Sequence, residues 1–250
     1  MKKRLGSLLI IIAMVSAASP CPAQDHARRF IAAIEAYKAD DYAAAIQGLE
    51  AIAADGVKNG RLFYDLGNAY LKSNDLGHAI LWYERALTLM PNDPDLGFNY
   101  HYARSLTKDV QEDDGMPLTH IFFFWKYELS AGSVILLALA FNLLFWCLAI
   151  LWRITRRRGL RKAAFGTLVP MLVLILTAGF NYYESAHRDQ AIVLPAKIAV
   201  RSGLEPTSTE LFELHAGAKV KVVRQMKDHL QIRFSEDKIG WVQDGTVGII

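Results

Sequence analysis

Only two cysteines stand in 250 residues, and they encode no disulfide framework. Cys21 falls in an N-terminal stretch built like a removable leader, and Cys147 lies inside an apolar run. The seven histidines, His26, His78, His101, His120, His187, His215 and His229, are scattered without metal-ligand spacing, so no zinc motif is present. Glycine loops of the P-loop and dinucleotide types are missing, which removes the common phosphate cradles; neither a cofactor nor a metal is expected. The acidic run Asp109, Glu112, Asp113 and Asp114 lacks the ligand order and turn glycine of a calcium loop, and reads as a solvated spacer. A net charge of +3 leaves no broad basic face, so nucleic acid is not an expected partner.

Apolar sequence is abundant, and it is concentrated. Residues 131–152, "AGSVILLALAFNLLFWCLAILW", and residues 163–183, "AAFGTLVPMLVLILTAGFNYY", carry no charge. A helix as long as the first run rises roughly 33 Å, enough for a hydrocarbon core of about 30 Å. Between the runs, the loop over residues 153–162 holds Arg153, Arg156, Arg157, Arg158, Arg161 and Lys162 with no acid. By the positive-inside rule these cations mark the cytoplasmic end of a transmembrane hairpin; binding of anionic lipid head groups is a competing use. Trp125, Tyr127, Trp152, Tyr182 and Tyr183 bracket the runs as interfacial aromatics do. Residues 1–23 begin with Lys2, Lys3 and Arg4, continue through an apolar Leu8–Val15 stretch and end in small residues, the build of a signal peptide. Two crossings after a cleaved leader place the segments before and after the hairpin outside the cytoplasm.

The first external segment, residues 24–106, has a 34-residue period. "GRLFYDLGNAYLKSNDLGHAILWYERALTLMP", residues 60–91, sets Phe63, Leu66, Gly67, Tyr70, Ala79, Tyr83, Ala86 and Pro91 at the spacing of a tetratricopeptide repeat. Gly67 and Ala79 are small where two helices approach, the rings fill the gaps, and Pro91 stops the second helix. Residues 41–53 mirror residues 75–87, so a divergent first repeat is expected, its first helix from about Arg28 to Lys38; a helix from about Pro94 to Leu106 caps the stack. The resemblance to tetratricopeptide arrays implies a concave groove for peptide segments, lined here by Phe30, Tyr37, Tyr64, Asn68, Lys72, Phe98 and Tyr102. Asn68 suits an extended backbone and the rings supply apolar contact. The alternative is that several of these rings pack between helices.

Residues 107–130 form an acidic linker ending in the aromatic "IFFFWKYEL", expected at the membrane interface. From Gln190 the texture alternates: "AIVL", "KIAVRS", "ELFEL", "KVKVV", "LQIRF" and "GWVQ" are short period-two runs broken by Pro195, Gly203, Pro206, Gly217, Asp228 and Gly240. Such strands argue a small antiparallel barrel. Residues 188–250 resemble a bacterial SH3 domain through "VRSG" (Val200–Gly203), a "LHAGAKVKVV" hairpin (Leu214–Val223) and "GWV" (Gly240–Val242). That resemblance implies a protein or peptidoglycan contact at Arg201 and Trp241, helped by the Glu205–Thr209 loop; burial of Trp241 in the core is the alternative.

The whole therefore reads as a multidomain membrane protein: an α-helical tetratricopeptide-repeat stack, a two-helix transmembrane hairpin and a C-terminal small all-β SH3-like barrel. This order of parts resembles the BatE-type proteins of the bacterial aerotolerance (Bat) operon. The resemblance implies a non-enzymatic scaffold in the bacterial inner membrane, its binding domains periplasmic, beside von Willebrand factor A-type Bat proteins and a MoxR-type ATPase. A wall sensor binding peptidoglycan fragments is the alternative, and a wall hydrolase a weaker one, because no remaining length supplies a catalytic domain.

Overall fold

A computed structural model describes residues 22–109, 125, 129–186, 189–205 and 207–250. The expected signal peptide lies outside the described residues apart from its last two positions, and so does most of the expected linker. The chain divides into two units, residues 1–57 and 58–250.

The first unit is a helical hairpin, α1 (Pro22–Lys38) and α2 (Tyr42–Ala54). Its turn is set by two residues. Asp40 takes a left-handed φ of 60°, and the Asp41 side chain caps α2 by accepting from the Ala44 N–H at 3.0 Å. Ala33, Ala45, Leu49 and Ile52 are buried between the helices. A β-carbon at Gly48 would stand 3.0 Å from that of Ala33, so small residues set the close approach. His26 Nε2 and Arg29 Nη1 each reach Asp55 Oδ2 at 3.0 Å, tying the start of α1 to the end of α2. α1 begins well before Arg28, since Pro22 sits in the first turn, where a missing N–H costs nothing.

The second unit opens with α3 (Gly60–Lys72), α4 (Leu76–Leu89) and α5 (Pro94–Ser105). Asn59 caps α3 by accepting from the N–H groups of Arg61 and Leu62, and Asp93 caps α5 by accepting from Leu96 N–H at 2.9 Å. The α3–α4 turn repeats the chemistry of the first hairpin 34 positions on: Asn74 has a φ of 64°, and Asp75 accepts from His78 N–H at 3.2 Å. Tyr83 is fully buried, and a β-carbon at Gly67 would sit 2.5 Å from its ring, so a small residue expected at the helix approach meets one of the rings expected to fill the gaps. α4 ends at Leu89, two residues before Pro91. The expected cap, α5, packs on both α3 and α4.

Two long apolar helices follow, α6 (Ala131–Thr155) and α7 (Arg158–Ala186), lying side by side. Both are long and apolar enough to cross a membrane. Val134 and Ala138 are the buried residues of α6, while Leu136, Leu143, Ile154 and Leu176 point outward, a surface that suits lipid. The expected ten-residue basic loop is mostly helical. Arg153 lies in the last turn of α6, Arg158, Arg161 and Lys162 fall in the first turns of α7, and the reversal needs only Arg156, at a left-handed φ of 55°, and Arg157. Pro170 lies inside α7.

The chain closes with seven strands: β1 (Gln190–Val193), β2 (Lys197–Arg201), β3 (Glu210–His215), β4 (Lys219–Met226), β5 (His229–Arg233), β6 (Ile239–Gln243) and β7 (Val247–Ile249). They pair antiparallel in the order β3-β2-β6-β5-β4-β1-β7. The expected barrel is an open sheet with β3 and β7 at its edges. Leu214–Val223 is not a hairpin either, because β3 pairs with β2, and β4 with β1 and β5. The turn between them is held to β1 instead: Gly217, at a φ of 84°, donates its N–H to Val193 O at 2.9 Å, and Val193 N–H donates to Ala218 O at 3.0 Å. Val193, Val200, Leu214, Val220, Leu230, Ile232 and Val242 fill the core.

Candidate functional site

The sequence points to one face of the helices and one pair on the sheet. On α3, Tyr64 is 7% exposed, Asn68 half-buried and Lys72 exposed. Tyr64 is held inside: its hydroxyl accepts from Asn99 Nδ2 at 2.9 Å, its ring lies 6.1 Å from that of Tyr83, and the Arg61 guanidinium sits 5.0 Å above it. It is a packing residue rather than an open contact. Asn68 joins the same network, its Oδ1 accepting from Tyr83 Oη at 2.7 Å and from Asn99 Nδ2 at 2.9 Å. With that oxygen turned inward, the amide NH2 is the end left for a ligand.

Thirty-four positions beyond Tyr64 and Asn68 stand Phe98 and Tyr102 on α5, 74% and 54% exposed. They lie one turn apart on the same helix face, with exposed Leu106 one turn further. In the first unit, Phe30 and Tyr37 are half-buried, and the Tyr37 ring meets Tyr42 edge-on at 5.5 Å. Asn99 was not foreseen from the sequence. It follows Phe98 on a helix read as a cap that lends two rings to the groove, and no spacing rule marks a side chain that bridges two helices.

Asp65 shares α3 with these residues and is 9% exposed. Burial raises its carboxyl above the ordinary range, and Arg61, at 3.5 Å and itself largely exposed, offsets this only partly. A raised folded-state value means that the stabilising, protonated form is complete below the unfolded carboxylate range and is lost as pH rises through the folded one. Asp65→Asn is therefore expected to melt on the order of 2 °C higher than wild type at pH 7.5, with the gain vanishing near pH 4. Thermal melts at the two pH values check this.

On the sheet, Arg201 of β2 and Trp241 of β6 are direct cross-strand partners, which puts both side chains on one face. They line a cavity of about 370 Å³ together with Glu205, His229 and Gln243. Trp241 is half-buried and outside the core cluster, so it walls the cavity instead of filling the interior. Arg201 Nη1 donates to Ser208 O at 2.9 Å, fixing the guanidinium against the following loop. All six cations of the α6–α7 reversal are exposed, and none is ion-paired among the described residues.

Residues 60–93 match the family model of the tetratricopeptide repeat. This segment is a tetratricopeptide repeat. No curated protein matches the chain. The repeat spans α3, α4 and the turn into α5, so the Asn68 amide sits on its first helix and the Tyr83–Gly67 contact at its centre. It is a non-catalytic interaction fold, generally used to hold protein partners.

Proposed function

We propose that this chain is an inner-membrane adaptor that holds a protein partner on the face formed by Asn68, Phe98 and Tyr102, with a second contact at the Arg201–Trp241 cavity. The observation that carries the reading is the pair of solvent-facing rings on α5, the helix whose Asn99 donates to the half-buried Asn68 of the repeat. An exposed phenylalanine and tyrosine one turn apart supply apolar area at low entropic cost, and the Asn68 NH2 offers a donor to an extended backbone.

The finer assignment follows from what surrounds this surface. The two apolar helices serve as a transmembrane hairpin, the unpaired cations face the cytoplasm, and a cleaved leader sends both ends to the periplasm. The C-terminal sheet, with its "VRSG" and "GWV" segments, acts as an SH3-like module. The order of parts is that of the BatE-type proteins, and partners of the von Willebrand factor A and MoxR-type ATPase classes fit the role. The Trp241 cavity favours a second reading, capture of peptidoglycan fragments, since an aromatic wall beside arginine, histidine and glutamine suits a sugar–peptide ligand.

The test places p-benzoylphenylalanine at position 102 in native membranes and irradiates. A discrete adduct with a membrane or periplasmic protein, lost on Asn68→Asp, is the expected result. Asn68→Asp keeps an inward oxygen acceptor and replaces the outward donor with an acceptor. Absence of any adduct, together with sedimentation of the wild-type chain on isolated peptidoglycan, would replace this reading with the second.

A further inference from the structure

We infer that the contact between α4 and the C-terminal sheet is a latch that holds repeat and sheet together without help from the covalent route through α6 and α7. The chain is then one receptor with two faces at fixed separation, not two modules on a tether. This goes beyond the adaptor reading and does not depend on the partner.

The apolar part of the latch shows first in β1. Successive side chains of a strand point to opposite faces, so a strand at a sheet surface should alternate buried and exposed. Yet Ala191, Ile192 and Val193 are all fully buried. Ala191 and Val193 belong to the sheet core and Ile192 does not, so β1 is covered on its second face as well, where α4 packs against it. Ile80 and Leu81 of α4 are correspondingly buried.

Glycines from both sides let the backbones approach. A β-carbon at Gly77 would stand 2.2 Å from the carbonyl oxygen of Leu194, a backbone atom that cannot swing aside. At Gly248 it would meet Leu81 Cδ2 at 2.4 Å, and at Gly217 Ile80 Cδ1 at 2.6 Å. Three positions far apart in sequence thus lack side chains where the other part needs the space.

The polar part is specific. Glu84 of α4, its side chain 11% exposed, accepts from Lys219 Nζ at 2.9 Å and from Tyr100 Oη at 2.6 Å. Asp109 Oδ2 accepts from the His215 backbone N–H at 2.6 Å and lies 3.0 Å from its Nδ1, while Arg85 Nη2 donates to Ile249 O at 2.7 Å. Reversing one charge of a nearly buried pair leaves two like charges in contact, far worse than losing an exposed pair.

The experiment uses the full chain, purified in detergent through a C-terminal tag, with a protease site inserted between Asp114 and Gly115. After cleavage the repeat fragment is expected to stay on the affinity resin with the tagged remainder. Lys219→Glu should lower its retention at least tenfold, and Glu84→Lys combined with Lys219→Glu should restore most of it. Gly77→Val should release it as well. Circular dichroism melts of the uncleaved variants separate loss of the latch from loss of fold, and the sheet-side Lys219→Glu carries the test if Gly77→Val fails to fold. Release of the fragment from the wild-type protein, or equal retention in Lys219→Glu, overturns the latch.

Discussion

Tyr83→Ala is expected to cost about 3–5 kcal/mol and to melt the repeat while leaving the apolar helices folded. Among the described residues Tyr83 is the largest fully buried side chain, and its ring occupies the space that the missing Gly67 side chain leaves. Truncation removes the ring from between α3 and α4, and the gap cannot close, because backbone already meets ring on the Gly67 side. It also strips one of the two donors from Asn68 Oδ1. Tyr83→Phe removes that donor alone and is expected to cost about 1 kcal/mol. Amide hydrogen exchange read over residues 60–105 measures both, since the helical signal of α6 and α7 would mask the transition in far-ultraviolet spectra. Equal protection in Tyr83→Ala and wild type would mean that the glycine–tyrosine contact does not hold the repeat together.

The two parts of that contact, a small residue and a gap-filling ring, were legible in the sequence, and the reason is local. Gly67 and Tyr83 lie 16 positions apart in one helical hairpin, so helix periodicity and a short turn bring them together whatever the rest of the chain does. The strands were legible for a similar reason, as period-two alternation survives without knowledge of the partner strand. Closure and connectivity did not follow. The turn after β3 bonds to β1, more than twenty positions back, and no pattern within Leu214–Val223 records that preference. β7 escaped notice because it has only three residues and one is Gly248, a residue explained by Leu81 of α4 and not by the sheet. Tyr64 was read either as lining the groove or as packing between helices, and the partner that holds it inside, Asn99, lies thirty-five residues away on another helix. Glu84 and Lys219 are separated by 135 positions with both long apolar helices between them. Their pairing is invisible to any reading that treats the two ends of the chain separately.

The second large effect tests the proposed topology, in which both ends lie on one side of a membrane. With Cys147→Ser as background, single cysteines at Lys58 and Asp237 are expected to react equally with an impermeant maleimide on intact spheroplasts, and one at Arg161 only after permeabilisation. The cations at the α6–α7 reversal supply the bias, because six exposed positive groups with no acid among them are costly to move across the bilayer and favour the anionic cytoplasmic leaflet. Replacing all six with glutamine removes that bias and should reduce labelling at both positions 58 and 237 by at least half. The latch adds a condition that charge counting cannot supply. α4 touches β1 and β7, so molecules that invert must carry both ends across together, and the two labels should fall in step. A chain in which one end stayed reactive while the other became protected would have crossed the membrane an odd number of times. Such a molecule could form neither the Glu84–Lys219 pair nor the Ile192 burial, and its appearance in the wild-type protein would refute the hairpin and the latch at once.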